Sequence, residues 1–348
     1  GDTFAMDRMG EGLSRAMGDV IAGRMALFAE GRHGGGMDMA GTGGSAIQLA
    51  SSNAGSVEVL TALQAATRAA SSGQMDRIND RTGVYVSVEG GWGETDLPNG
   101  TTDLESHHIV AGVDFEPAGN WLIGANAGFS DYSAHSATTH VQGESVSLAA
   151  YAGYAGSWLY GSAYIGASRL DYDLTRSILL GVAEMRATAS TDANQFDAGF
   201  DIGADLIEGN AVFGPVLRLR HGNTDIDGYS ETGAGVFNAT LAARENDRTL
   251  LGAGGRFASG GKTRFFGQLT WEQDISEGDG QTRASLAGAP SAGFAVLDGH
   301  HDDSFASLAL GIDIDASDRV AISARARSDF GRDTDEDTAL SLAINWRF

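Results

Sequence analysis

Cysteine is missing from all 348 residues. That excludes a disulfide framework, thiolate zinc sites and a cysteine nucleophile. Proline occurs only 4 times beside 50 glycines. With no run of glycine triplets, the chain is neither collagen-like nor a proline-rich linker. Lysine occurs once, at Lys262, and every other basic residue is arginine. The 23 basic residues face 46 acidic ones, for a net charge of −23. A nucleic-acid partner needs a basic footprint, so none is expected. The stretch after Gly1 lacks the basic and apolar regions of a signal peptide, and Gly1 is expected to be a processing, cloning or fragment boundary. What is present is a hydrophobic content of 42%, enough for a core.

Mean hydropathy is −0.14, the value of a soluble protein. Yet Ser145 to Ser168 carries no charge. Gly153, Gly156, Gly161 and Gly166 make it a poor helix and a good pair of strands around Gly156-Ser157. Membrane β-barrels give this weak signal, because only alternate residues meet lipid.

The first 80 residues differ from the rest. Met6, Met9, Leu13, Met17, Val20, Ile21, Leu27 and Phe28 fall at helical spacing, with Asp7, Arg8, Glu11, Arg15 and Asp19 between them. Residues 32–55 read as loop. A second helix is expected over 56–80, capped by Ser56 and built in its middle of Ala, Ser and Gly around one long cation, Arg68. From about Thr82 the period becomes two. Leu340, Leu342, Ile344, Trp346 and Phe348 alternate with small or polar residues, as do Phe196, Ala198, Phe200, Ile202, Ala204 and Leu206.

Twelve strands are expected, near 82–92, 104–116, 120–130, 144–156, 157–170, 194–208, 210–222, 246–258, 262–275, 304–315, 318–330 and 336–348. Their connections alternate strictly between long (93–103, 131–143, 171–193, 223–245, 276–303, 331–335) and short. A soluble sandwich has no reason to sort loop length by parity, whereas an outer-membrane barrel does. The expected fold is therefore an all-β membrane protein, a 12-stranded up-and-down antiparallel transmembrane barrel. The long connections are rich in acid, which suits either solubility or divalent-cation bridging to lipopolysaccharide.

At this point the chain resembles the translocator β-domain of a monomeric autotransporter of the type V secretion family. The resemblance covers about 56–348. It rests on a helix leading into Thr82-Gly83-Val84-Tyr85-Val86-Ser87-Val88-Glu89-Gly90-Gly91-Trp92-Gly93, on the twelve strands, and on the terminal Ala343-Ile344-Asn345-Trp346-Arg347-Phe348. It implies a Gram-negative outer membrane, export and anchoring of an N-terminal passenger, and an assembly signal at Leu342, Ile344, Trp346 and Phe348 read by the barrel-assembly machinery. It also implies a pore helix. The division expected is 1–55 as passenger remnant or helical linker at the surface, 56–80 as pore-spanning helix and 81–348 as barrel, in a monomer surrounded by outer-membrane lipid.

Strand phase predicts the luminal residues. Asp197, Asp201 and Asp205 face inward, as do Arg218, Arg220, Arg248, Arg256, Lys262, Arg264, Glu272, Asp274, Arg325, Arg327 and Arg347. Neighbouring strands carry opposite charge, so luminal ion pairs are expected. Arg68 of the pore helix is expected to meet Asp197, Asp201 or Asp205.

No catalytic, cofactor or metal constellation emerges. Gly1-Asp2-Thr3-Phe4 is similar to the GDSL block of esterases, but Thr3 replaces the nucleophilic serine; Asp298 and His301 have that family's acid–base spacing. His107 and His108 point to opposite faces of a strand. His300-His301-Asp302-Asp303 reads as an acidic loop before a metal site. The family resemblance leaves passenger release by asparagine cyclisation open, with Asn53 and Asn79 the candidates. The competing readings are a plugged outer-membrane channel or adhesin with a surface-exposed N-terminal segment, and an outer-membrane hydrolase.

Overall fold

The computed structural model describes residues 2–33, 81–97, 100–181, 183–206, 211–276, 281–297, 304–317, 319–332 and 335–347. Among these residues one α-helix, α1 (Asp2–His33), precedes sixteen strands. These are β1 (Thr82–Leu97), β2 (Gly100–Phe115), β3 (Trp121–His135), β4 (Thr139–Ala155), β5 (Leu159–Leu180), β6 (Ala183–Ala204), β7 (Ala211–Ile226), β8 (Tyr229–Ser230), β9 (Ala239–Leu241), β10 (Arg244–Ser259), β11 (Thr263–Asp274), β12 (Gln281–Leu286), β13 (Ala289–Leu297), β14 (Ser304–Ser317), β15 (Val320–Phe330) and β16 (Asp335–Arg347).

Twelve of them close a ring in the order β1-β16-β15-β14-β11-β10-β7-β6-β5-β4-β3-β2, every neighbouring pair antiparallel. Closure sets Val84 opposite Trp346 and Val88 opposite Leu342, so the last strand completes the first. The period of two then sorts side chains between lipid and lumen. On β4, Leu148 is 63% exposed while Tyr151, facing the other way, is 3% exposed. Ile165, Phe200, Leu217, Leu269, Leu310 and Leu342 continue the exposed apolar belt round the ring. Trp121 and Trp158 border that belt at the short-turn end, Trp92 and Trp271 towards the other, where indole rings suit the membrane interface. Among the described residues no helix is long and apolar enough to cross a membrane, which says nothing of crossing by strands.

Three expected loops are strands instead. The stretches 93–103, 131–143 and 171–193 form the upper parts of three hairpins, β1–β2, β3–β4 and β5–β6. Beyond the lipid the outer face turns polar while Tyr132, Val141, Tyr172 and Leu174 turn inward on to α1, so the apolar residues change face although the ladder continues. Two later long connections fold into a separate four-stranded sheet of order β13-β12-β9-β8. Arg176 of β5 ties it down, donating to Glu231 at 2.8 Å and to the Phe237 carbonyl at 3.1 Å. Thr188 of β6 bonds Thr232 backbone to backbone at 2.8 and 2.9 Å. Ala239, Leu241 and Ala284 of this sheet join a buried cluster with Met6, Tyr132 and Tyr172.

Candidate functional site

The site is the lumen and the helix inside it. Thirty-two residues of α1 span roughly 48 Å at 1.5 Å per residue, more than the ~25 Å apolar band of an outer-membrane barrel. Its side chains are buried almost all round. The polarity is fixed by the ends. The Thr3 carbonyl accepts from Arg244, at the long-connection end of β10. Arg24 donates to Asp114 at 2.7 Å and to Asn345 at 3.3 Å, both at the short-turn end. The helix thus runs from the long-connection mouth to the end where β1 begins.

Two stripes of the sequence decide how it sits. Met6, Met9 and Leu13 pack with Tyr132, Val141, Leu170, Tyr172 and Leu174; Met17, Ile21, Met25 and Phe28 pack with Tyr85, Val110, Leu122, Tyr151 and Tyr164. Asp7, Glu11, Arg15 and Asp19 recur every fourth residue and therefore share a face. That face meets β7, β10, β15, β16 and the 331–334 connection. Asp7 pairs with Arg244 at 2.9 Å. Glu11 is ringed by Arg8, Arg15, Arg248 and Arg332. Arg15 binds Asp329, and Asp337 at 3.1 Å. Asp19 holds Arg220 at 2.7 Å and Arg327 at 2.9 Å. Buried charges are tolerable only when partnered in this way.

Glycines in α1 mark where the wall comes closest. A Cβ on Gly23 would lie 2.3 Å from Arg325 Nη1, and one on Gly18 3.0 Å from the Tyr164 hydroxyl. Each internal glycine disfavours the helix by about 0.5–1 kcal/mol relative to alanine, so packing in the lumen holds α1 helical. Arg325 also donates to the Gly23 carbonyl at 3.1 Å.

The helix described in the lumen comes from the first segment of the N-terminal region. Residues 1–55 were expected at the surface, but α1 from this stretch occupies the lumen. The physical reason is that the wall is itself two-sided, mostly apolar on β1–β5 and charged opposite, so an amphipathic helix fits it. The expected helix 56–80, with Arg68, Asn53 and Asn79, lies outside the described residues. Asp197, Asp201 and Asp205 all line the lumen. Asp197 accepts from Gln195 at 3.0 Å, and Gln195 also donates to the Gly10 carbonyl at 2.9 Å. Asp201 pairs with Arg218 at 2.8 Å and Asp205 with Arg256 at 2.6 Å. Arg248 pairs with Asp274 at 2.8 Å. Lys262, expected to face inward, is exposed beside β11; the strand begins one residue later, at Thr263, leaving this side chain in the turn. Leu342, Ile344 and Trp346 lie on β16, with Leu342 exposed to the lipid side; Phe348, Asp298, His300 and His301 lie outside the described residues. His107 is exposed, while His108 is buried with Nδ1 2.9 Å from the Ser130 hydroxyl. Thr3 is buried on α1 at the mouth.

Comparison with known proteins places this geometry. The family profile described as autotransporter beta-domain matches residues 84–327. The translocator domain of the autotransporter NalP from Neisseria meningitidis superposes with a TM-score of 0.65 at 15% identity, over 85% of this chain and 98% of that one. The β-domain of the Bordetella autotransporter BrkA gives 0.55 at 14% identity, over 77% and 100%. Curated relatives called esterase EstA, from Pseudomonas aeruginosa and Pseudomonas putida, are 24% identical over 258 residues, 71% of this chain. The chain spans about two-fifths of the length of these relatives, 39%. A closed barrel of twelve strands with a family match across most of its wall admits one assignment: the chain belongs to the autotransporter family, as a translocator β-domain of a Gram-negative outer membrane.

Proposed function

We propose that this barrel exports an N-terminal passenger and then keeps α1 as its anchor and plug. The observation that carries the reading is the polarity of α1: its first turn lies at the long-connection mouth and its last at the end where β1 begins. A chain drawn outward through the pore and stopped there would leave α1 in this direction. The ion pairs along one face would resist further sliding. An epitope fused ahead of Gly1 should be reached by antibody on intact cells; an epitope reached only after outer-membrane permeabilisation would sink the proposal.

The passenger's chemistry is a separate proposal. The relatives' name, esterase, supports a hydrolase as cargo; Thr3, already inside the barrel, is no nucleophile for it. The reading assigns no turnover to the barrel, whose luminal charges are engaged with α1 and with one another. It puts outer-membrane lipid on the apolar belt of a monomeric barrel. It sets the acid-rich connections against lipopolysaccharide through divalent cations. It has the assembly machinery read Leu342, Ile344, Trp346 and Phe348. Replacing Phe348 with alanine should lower outer-membrane levels while leaving the inserted barrel's heat-modifiability on a gel intact; normal levels would refute the signal.

A further inference from the structure

β3 and β4 extend past the apolar belt as a hairpin closed by residues 136–138. Ser136 N donates to the Thr139 carbonyl at 2.8 Å. The adjacent pair, His135 opposite His140, is then the one without mutual backbone bonds, where side chains stand closest. The two imidazoles stack with ring centroids 3.9 Å apart and planes 23° apart. His140 Nδ1 lies 3.3 Å from the Ala134 carbonyl oxygen. A carbonyl accepts only from N–H, so that contact puts the proton on Nδ1 and leaves Nε2 with a free lone pair. On the other side of His135, across the β2–β3 pair, stands Asp103, also exposed on the outer face.

We propose that His135 and His140 form a surface site for a zinc-class divalent transition ion, with Asp103 as the neighbouring carboxylate donor. The chemistry fits. Imidazole nitrogen is a preferred ligand for zinc at about 2.0–2.1 Å, and its lone pair lies in the ring plane, so on binding the two neighbouring rings leave the stack and turn their edges toward one ion. Both histidines stand on directly paired positions of one ladder, so side-chain rotation brings them to one ion while the backbone stays in place. The ion enters from solvent, because His135 and Asp103 are exposed. Among the described residues no group of three or more such donors is already gathered round one point. The two imidazoles therefore bind first, and Asp103 and water complete the shell by side-chain rotation. Such an ion would clip the tip of the hairpin.

The test is calorimetric titration of the full chain, stripped with EDTA and held in detergent micelles, with zinc chloride. One zinc per chain is expected. His135→Ala and His140→Ala should each weaken binding about tenfold or more, by analogy with the loss of supporting groups at metal sites. Asp103→Asn should weaken it less, and a His300→Ala/His301→Ala double variant should leave it unchanged. Each variant's heat-modifiable band reports folding independently. Slower amide exchange at residues 136–139 with zinc present would give a second reading. Equal affinity in the parent and His135→Ala would mean the rings merely stack; binding lost only in the His300/His301 variant would place the ion elsewhere. Either result overturns the proposal.

Discussion

Strands β1–β5 and strands β7, β10, β15 and β16 hold the same helix by different means. The first wall offers Tyr85, Tyr132, Tyr151, Tyr164 and Tyr172 with leucines and valines, and α1 answers with methionines. The second offers Arg220, Arg244, Arg248, Arg327, Asp329 and Asp337, and α1 answers with Asp7, Glu11, Arg15 and Asp19. Methionine is flexible and fills irregular gaps, so the apolar wall tolerates sliding and rotation. Ion pairs do not, because each buried charge needs its partner at a fixed height. The apolar wall supplies contact; the charged wall sets register.

Several experiments would break or sharpen that contrast. The largest effect should come from removing the helix. Deleting Asp2–His33 opens the bore of a twelve-stranded barrel, so conductance in planar bilayers should rise several-fold; unchanged conductance would mean α1 does not block the pore. Next is the centre of the charged wall. Glu11→Ala leaves Arg8, Arg15, Arg248 and Arg332 facing one another and should cost about 3 kcal/mol, seen as a lower unfolding temperature. Met9→Leu, against the apolar wall, should cost under about 1.5 kcal/mol. Equal losses would erase the distinction.

The outer face gives a third comparison. Leu342→Arg should cost about 2–4 kcal/mol near the bilayer midplane, measured by urea unfolding in lipid. Ser341→Asn, facing the lumen between Arg325 and Glu89, carries no such lipid penalty and should cost far less. The mouth gives a fourth. Arg176→Ala leaves the buried Glu231 carboxylate without its fork and should loosen the four-stranded sheet by about 1–3 kcal/mol, read as faster amide exchange at Ala239–Leu241. The smallest effect separates a packed helix from a free one. Gly12→Ala, whose Cβ would have only Tyr132 at 3.9 Å, should stabilise by up to about 1 kcal/mol. Gly23→Ala must push Arg325 off the Gly23 carbonyl and should not stabilise. Matching gains at both sites would place α1 outside the wall.

Much of this was legible without coordinates. Strict alternation from Thr82 onward marked twelve strands, since the pleat has a period of two and only one face can meet lipid. The same phase named Asp197, Asp201, Asp205, Arg218 and Arg256 as luminal. The helix expected in the pore, 56–80, lies outside the described residues, and the helix described in the lumen is α1. An Ala/Ser/Gly run around Arg68 looked suited to a crowded bore, and the amphipathic stretch at Met6–Phe28 looked like a surface helix. A signal was nevertheless present: Asp7, Glu11, Arg15 and Asp19 form a stripe of alternating need that only a charged wall can satisfy. The upper hairpins were missed because beyond the lipid the apolar face switches from the outside to the inside, where Tyr132, Val141, Tyr172 and Leu174 meet α1, and that switch breaks the run of lipid-facing residues.

The sequence alone determined membrane, the number of wall strands and the phase of most lipid-level wall residues, because those follow from local periodicity and from which solvent each face meets. Only the tertiary structure decided which helix fills the barrel, which arginine meets which carboxylate, and that two stacked histidines stand on the outer hairpin. These depend on the shear and closure of the sheet, which bring residues hundreds of positions apart to the same height, and no local pattern encodes that height.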